Sequence, residues 1–192
     1  MGTMLRLPGD LAARLDPLEA AVVNPTNIEL REAAVVVLLM RTDDGPELVL
    51  IERSADLRTH AGQLALPGGK PEPGDGSLAN TALREAHEEV GLPLGQTQVL
   101  GRLGTVPTPT GFVIVPFVAW APEAWRPRAA SGEVHAVLTP KLATLADPDM
   151  HRISGRGVWA GMSYELHEFA IHDPPLWGAT ARIVWDLLER VR

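Results

Sequence analysis

The chain has 192 residues, 45% apolar and 21% charged, which suits one soluble domain with a sizeable core and excludes a disordered chain. Twenty-four acidic residues against 17 basic ones give a formal charge of −7, which opposes binding to nucleic acid or to an anionic membrane. The absence of cysteine excludes disulfides, thiolate metal sites and thiol nucleophiles, and fits a reducing cytoplasm.

In chain order, residues 1–30 read as an N-terminal helical appendage, with a short helix around residues 11–22 broken at Pro17 and a linker containing Pro25. Pro8 and Pro17 interrupt what an export signal would need as an unbroken apolar run, so the expectation is a cytoplasmic protein. The longest apolar stretch, residues 33–40, falls far short of the roughly 20 residues that span a bilayer. Residues 33–40 and 47–52, rich in Val, Leu and Ile and separated by Asp43, Asp44, Gly45 and Pro46, predict a β-hairpin. A loop leads to the strongest helix pattern, residues 77–90, with Ser77 as its N-cap and Gly91 past its end.

Strands follow at residues 99–106, 113–120 and 132–138, then a short helix over 141–146. A hairpin over 157–162 and 167–172 comes next, and an amphipathic helix over 177–191 closes the chain. This irregular alternation implies an α+β fold, residues 31–192 forming a mixed β-sheet packed between helices as an α/β/α sandwich. No internal repeat is present, and no GxGxxG follows a strand, which sets aside propeller and dinucleotide-binding folds.

The chemistry is concentrated where the glycine- and proline-rich run from Gly68 to Asp75 feeds the helix carrying Arg84, Glu85, Glu88 and Glu89. At about 100° per residue the three glutamates share one arc beside the apolar arc of Ala79, Leu83, Ala86 and Val90. Like charges at these spacings destabilise a helix, so the cluster calls for compensation, and hard oxygen ligands without cysteine point to Mg²⁺ or Mn²⁺. Taken alone, Glu88-Glu89 would read as a solvated helix face.

Gly68-Gly69-Lys70, an acidic residue at 75 and the run from Arg84 to Leu92 together closely resemble the Nudix box, GX5EX7REUXEEXGU. Asp75 stands where the box has its first Glu, one residue further from Arg84 than the box specifies, which leaves the role of Asp75 open. The resemblance implies that Glu85, Glu88, Glu89 and the Gly69 carbonyl bind metal and that Glu85, Glu88 and Arg84 form the catalytic set, Arg84 steadying a glutamate. The general base is left open among Glu88, Glu123 and Glu133.

Upstream, Arg53, Ser54, Leu57, Arg58, His60, Gly62, Pro67, Gly68 and Gly69 match the LLTxRSxxLRxHxGxVxFPGG signature of the coenzyme A pyrophosphatase family of Nudix hydrolases. Ile51, Leu64 and Leu66 depart from it mildly. Thr81-Ala82-Leu83, Thr110-Gly111-Phe112 and the run from Leu176 to Ala181 extend the resemblance over residues 33–190. It implies a pyrophosphatase acting on coenzyme A or a derivative. Arg53, Arg58, His60 and Lys70 read as substrate-binding cations or hydrogen-bonding groups, with Phe112 as a stacking residue.

Each of these has a plainer reading: surface ion pairs for the arginines, a backbone-bonded loop histidine for His60, core packing for Phe112. His87, His135, His151, His167 and His172 lack metal-ligand spacing and read as structural or solvated. Two rival functions stand beside coenzyme A hydrolysis. One is a Nudix pyrophosphatase of ADP-ribose, dinucleotides or nucleoside triphosphates; the other is a non-catalytic Nudix-fold sensor, which the intact glutamates and the charge of −7 disfavour. The apolar N-terminal segment leaves a homodimer open.

Overall fold

The computed structural model describes residues 10–57 and 59–192. Residues 1–9, the start of the expected appendage, and the expected substrate residue Arg58 lie outside the described residues. The elements are β1 Arg31–Met40, β2 Glu47–Leu48, β3 Leu50–Arg53, β4 Leu64–Ala65, β5 Gly68–Gly69, α1 Leu78–Val90, β6 Gln98–Arg102 and β7 Val106–Thr108. They continue with β8 Phe112–Trp120, β9 Val134–Leu138, α2 Leu142–Leu145, β10 His151–Trp159, β11 Met162–Phe169, β12 Leu176–Trp177 and α3 Gly178–Val191.

The α+β sandwich expected from the sequence is present, and β1 explains why. Its apolar run is too continuous for a strand with one wet face, and the strand is indeed covered on both. Ala34, Val36, Leu38 and Met40 pack with Ala82, Ala86 and Val90 of α1. Val37 and Leu39 face the other way, into the cluster holding Ile183, Val184, Leu187 and Leu188 of α3. The central sheet runs β2-β1-β8-β6, with β1 and β8 parallel and the other pairs antiparallel, so the sheet is mixed. Beside it lie the sheets β4-β3-β9 and β10-β11-β12.

The first hairpin, β1 with β2, follows the expectation, and β3 then leaves it to pair with β4 and β9. Helix α1 starts and stops where its signals lie. Ser77 is extended and its hydroxyl accepts the Asn80 N–H at 3.2 Å, while Gly91, at φ 72°, takes the left-handed turn that ends the helix.

Three expectations need correction. The helix expected over residues 11–22 shrinks to one 3-10 turn, Leu11–Arg14, because Pro17 lacks the donor to continue it and Asp16 instead bridges Arg102 as extended chain. Leu11 and Leu15 reach into the α3-side core. The strand expected over 99–106 divides into β6 and β7, since the Gly104 N–H bonds the Asp186 carboxylate at 3.1 Å rather than a ladder carbonyl. The late hairpin is β10–β11, turning at Ala160 and Gly161, both at positive φ as a two-residue turn requires.

This hairpin is tied to α3 by an aromatic stack. His151 lies 4.1 Å from the Trp185 ring at an interplanar angle of 16°, and its Nε2 is 3.0 Å from Nδ1 of His167. Burial pushes both imidazoles below the ordinary 6.5, with Arg192 adding to the effect on His151 and Arg182 on His167. The unfolded chain therefore takes up protons near pH 6.5 that the folded pair refuses. The pair's contribution to stability is full above that value and is lost as pH falls below it. Unfolding midpoints measured from pH 8 to 5 are expected to fall more steeply in the wild type than in a His151→Phe/His167→Gln variant; parallel profiles would refute this.

Candidate active site

Three elements converge on the carboxylates. β5 pairs with β1, Gly69 opposite Ala34 and Gly68 opposite Val35, while α1 packs on the same part of β1. The glycine backbone is thereby pressed against the carboxylate arc of the helix. A Cβ built on Gly69 would overlap the Glu85 carboxylate, and the Gly68 N–H donates to Glu89 Oε2 at 3.0 Å. Only glycine at 69 leaves this cradle open.

The three glutamates differ in environment. Glu89 is 5% exposed, and burial pushes its carboxyl up to about 7, with Glu85 and Glu133 adding to the rise against the Gly68 N–H and Arg53. Glu85 is also raised by burial, with Arg84 opposing. The Glu88 side chain is 54% exposed. The ordering follows from the helix: position 89 lies at the apolar edge and position 88 at the solvent edge.

Arg84 distributes its guanidinium over all the acidic groups around it. Its Nε donates to Asp75 Oδ1 at 2.8 Å, its NH2 to Glu85 at 3.0 Å and to the Lys70 carbonyl at 3.1 Å, and its NH1 to Glu88 at 3.3 Å. Asp75 Oδ2 accepts from Thr81 Oγ1 at 2.8 Å and from the Glu72 N–H at 2.9 Å. The Arg84 guanidinium holds the Asp75 carboxyl far below the usual carboxylate range. Asp75, whose role the sequence left open, is thus the anchor that fixes Arg84, and the additional residue before the helix does not prevent it.

Among the described residues no three His, Asp or Glu side chains close around a point by themselves. The guanidinium instead stands between Asp75, Glu85 and Glu88. The donor set nevertheless fits a hard divalent cation: Glu85 and Glu89 both meet the Gly68–Gly69 backbone, and every donor is oxygen.

Of the expected substrate residues, Arg53 borders the carboxylates. It acts on Glu89, lies 3.8 Å from Glu133, and has a buried Nε with no hydrogen-bond partner among the described residues. Lys70 is exposed, with its ammonium 5.5 Å from the Phe112 ring centre. Phe112 is half-buried, and the Arg31 guanidinium lies 4.3 Å over it. His60 is exposed, at φ 58°, and its Nδ1 is 3.0 Å from Gln63 Oε1 in its own loop.

The two late-loop glutamates separate cleanly. The Glu133 carbonyl accepts the Ser54 N–H at 2.8 Å, and its charge acts on Glu89. Glu123 lines a different cleft with Met40 and Arg41, at the far end of β1 and roughly 20 Å along that strand from the Gly69 partner. Arg31 was not singled out in the sequence. Only the parallel register that sets it opposite Phe112 brings it to this rim.

A NUDIX domain model matches residues 30–156. A protein named uncharacterized Nudix hydrolase NudL from Cronobacter sakazakii is 38% identical over 173 residues, covering 86% of this chain and 85% of that one. The protein of the same name from Photorhabdus laumondii is 34% identical over 162 residues, covering 83% and 84%. Among solved structures, the Mycobacterium smegmatis Nudix hydrolase RenU shares the fold at a TM-score of 0.51 and 24% identity, covering 61% of this chain and 74% of that one.

The raised Glu89 carboxyl carries a sign. Its folded value of about 7 exceeds the ordinary 4.5, so its contribution to stability is present below 4.5 and lost as pH rises through 7. At pH 8 the metal-free protein therefore bears a buried charge that the Gly68 N–H and Arg53 offset only in part, at a cost of roughly 3 kcal/mol. In EDTA at pH 8, Glu89→Gln is expected to raise the unfolding midpoint and to flatten its decline between pH 5 and 8. An unchanged or lower midpoint would contradict the assignment.

Proposed function

The chain belongs to the Nudix hydrolases, pyrophosphatases of nucleoside-diphosphate derivatives, and on that footing we propose that it cleaves the diphosphate of coenzyme A or a derivative, giving 3′,5′-ADP and 4′-phosphopantetheine. The observation that carries this reading is that Arg53, at the end of β3 in the segment that resembles the coenzyme A pyrophosphatase signature, borders the carboxylate helix. Its guanidinium faces Glu133, it acts on Glu89, and its buried Nε lacks a partner among the described residues.

In this reading Glu85, Glu89 and the Gly69 carbonyl would hold Mg²⁺ or Mn²⁺, with Glu88 as a further ligand. Such a cation neutralises diphosphate charge and makes water a nucleophile near neutral pH. The chain supplies the rest. Arg84, itself fixed by Asp75, positions Glu85 and Glu88. The exposed Glu88 and the flanking Glu133 are the carboxylates able to take a proton from the attacking water. Arg53 and Lys70 meet the substrate's phosphates.

Activity is expected to require Mg²⁺ or Mn²⁺, to vanish in EDTA, and to rise between about pH 7 and 9, the range in which such a cation would make water nucleophilic. Full turnover in EDTA would sink the metal assignment. Glu88→Gln and Glu89→Gln are each expected to lower kcat by orders of magnitude with the fold retained, and near wild-type turnover in both would exclude this carboxylate set.

The substrate is tested by comparing coenzyme A, 3′-dephospho-coenzyme A and ADP-ribose at equal metal concentration. Losing one charge-assisted phosphate contact is expected to reduce kcat/KM about ten- to a hundredfold. A higher kcat/KM for ADP-ribose would reject coenzyme A while leaving the Nudix chemistry standing. Cleavage of none of the three by metal-bound protein would favour a non-catalytic sensor.

A further inference from the structure

At the rim of the carboxylate site two cations share one aromatic ring. Arg31 opens β1 and Phe112 opens β8, and the parallel register sets them opposite one another, with the Arg31 N–H donating to the Gly111 carbonyl at 3.0 Å. The Arg31 guanidinium lies 4.3 Å from the Phe112 ring centre, and the Lys70 ammonium lies 5.5 Å from the same centre. Both cations are exposed, and neither pairs with a carboxylate among the described residues, in a chain carrying seven more acidic than basic residues.

Two like charges on one ring repel, and the cation–π attraction at an exposed site is worth only about 0.5–1 kcal/mol for each. An anion that meets both would offset the repulsion. A guanidinium resting on a ring keeps its N–H edge free for bidentate contact with phosphate oxygens, and the ammonium adds a point charge beside it.

The position is tied to the reaction centre. Lys70 directly follows Gly69, whose Cα faces the Glu85 carboxylate, and its carbonyl accepts Arg84 NH2 at 3.1 Å. Gly69 pairs with Ala34, three residues along β1 from Arg31, a backbone span on the order of 10 Å. That span is of the order that one sugar unit would bridge between a ribose-borne phosphate and a diphosphate held at Glu85 and Glu89.

We infer that Arg31 and Lys70, carried on the Phe112 ring, form a phosphomonoester subsite that reads a ribose-borne phosphate of the nucleotide substrate. The inference deepens the coenzyme A reading and rests on it for the identity of the substrate, but the subsite can be tested without that reading. Arg31→Met keeps apolar contact with the ring and removes the charge; Arg31→Lys restores the charge without the fork; Lys70→Met probes the second cation.

The first experiment is calorimetric binding of 3′,5′-ADP and of 5′-AMP in EDTA, where no hydrolysis occurs. Wild-type protein is expected to bind 3′,5′-ADP at least about tenfold more tightly than 5′-AMP. Arg31→Met and Lys70→Met are expected to lose most of that ratio, and Arg31→Lys to recover part of it. The second is the ratio of kcat/KM for coenzyme A to that for 3′-dephospho-coenzyme A, expected to fall about tenfold in Arg31→Met through KM rather than kcat.

Equal ratios in wild type and Arg31→Met in both experiments would overturn the subsite, whatever the fate of the coenzyme A reading. A wild-type protein that binds 3′,5′-ADP preferentially through Arg31, yet cleaves coenzyme A no better than ADP-ribose, would reject that reading and uphold the subsite.

Discussion

The site depends on the close approach of two glycines to a helix. Because α1 and β5 both rest on β1, the backbone at Gly68 and Gly69 lies against the carboxylate arc, and the helix residues facing it have no neighbouring side chain to fill the space. Glu89 is buried by this contact and Glu85 is held against Gly69. Their raised carboxyl values follow from removing water rather than from any one charged neighbour. Any side chain at 69 would fill the cradle and displace Glu85 from it.

A cluster of three glutamates on one turn and a half of helix is electrostatically unfavourable by itself. The chain manages it with one arginine. Arg84 bonds Glu85 and Glu88 while Asp75 takes the Nε and one NH2 contact, so the guanidinium is fixed in orientation before any ligand arrives. Glu89 is left outside this network, with Arg53 as the cation that acts on it, and is the group whose protonation changes near neutral pH. Positive charge is otherwise gathered at the opening: Arg53 beside Glu133, and Arg31 and Lys70 on the Phe112 ring. An acidic protein can therefore present a locally basic rim to a phosphate-bearing molecule.

Local signals were legible wherever one stretch of chain contains both the cause and the effect. Ser77 and Gly91 bound α1 because caps act within a few residues of the helix they close. The unbroken apolar run of β1 announced a strand covered on both faces. Leu11 and Leu15 have helical spacing, although they are buried against α3 and Asp16, just before Pro17, pairs with Arg102 of β6. The late hairpin was displaced because its turn, Ala160-Gly161, is marked by a single glycine, while alternating ion pairs such as Arg152–Glu168 hide the strand pattern around it.

The sequence by itself determined the carboxylate helix, the glycine turn before it, the α+β class and the family, because each is written in contiguous residues at fixed spacing. Only the tertiary structure decided which distant residues share the site. It set Asp75 as the anchor of Arg84, brought Glu133 rather than Glu123 to the carboxylates, and placed Arg31 over Phe112 beside Lys70. Those choices follow from the register of β1 against β8 and β5 and of β3 against β9, and register is fixed by pairing between strands far apart in the chain, which no local spacing encodes.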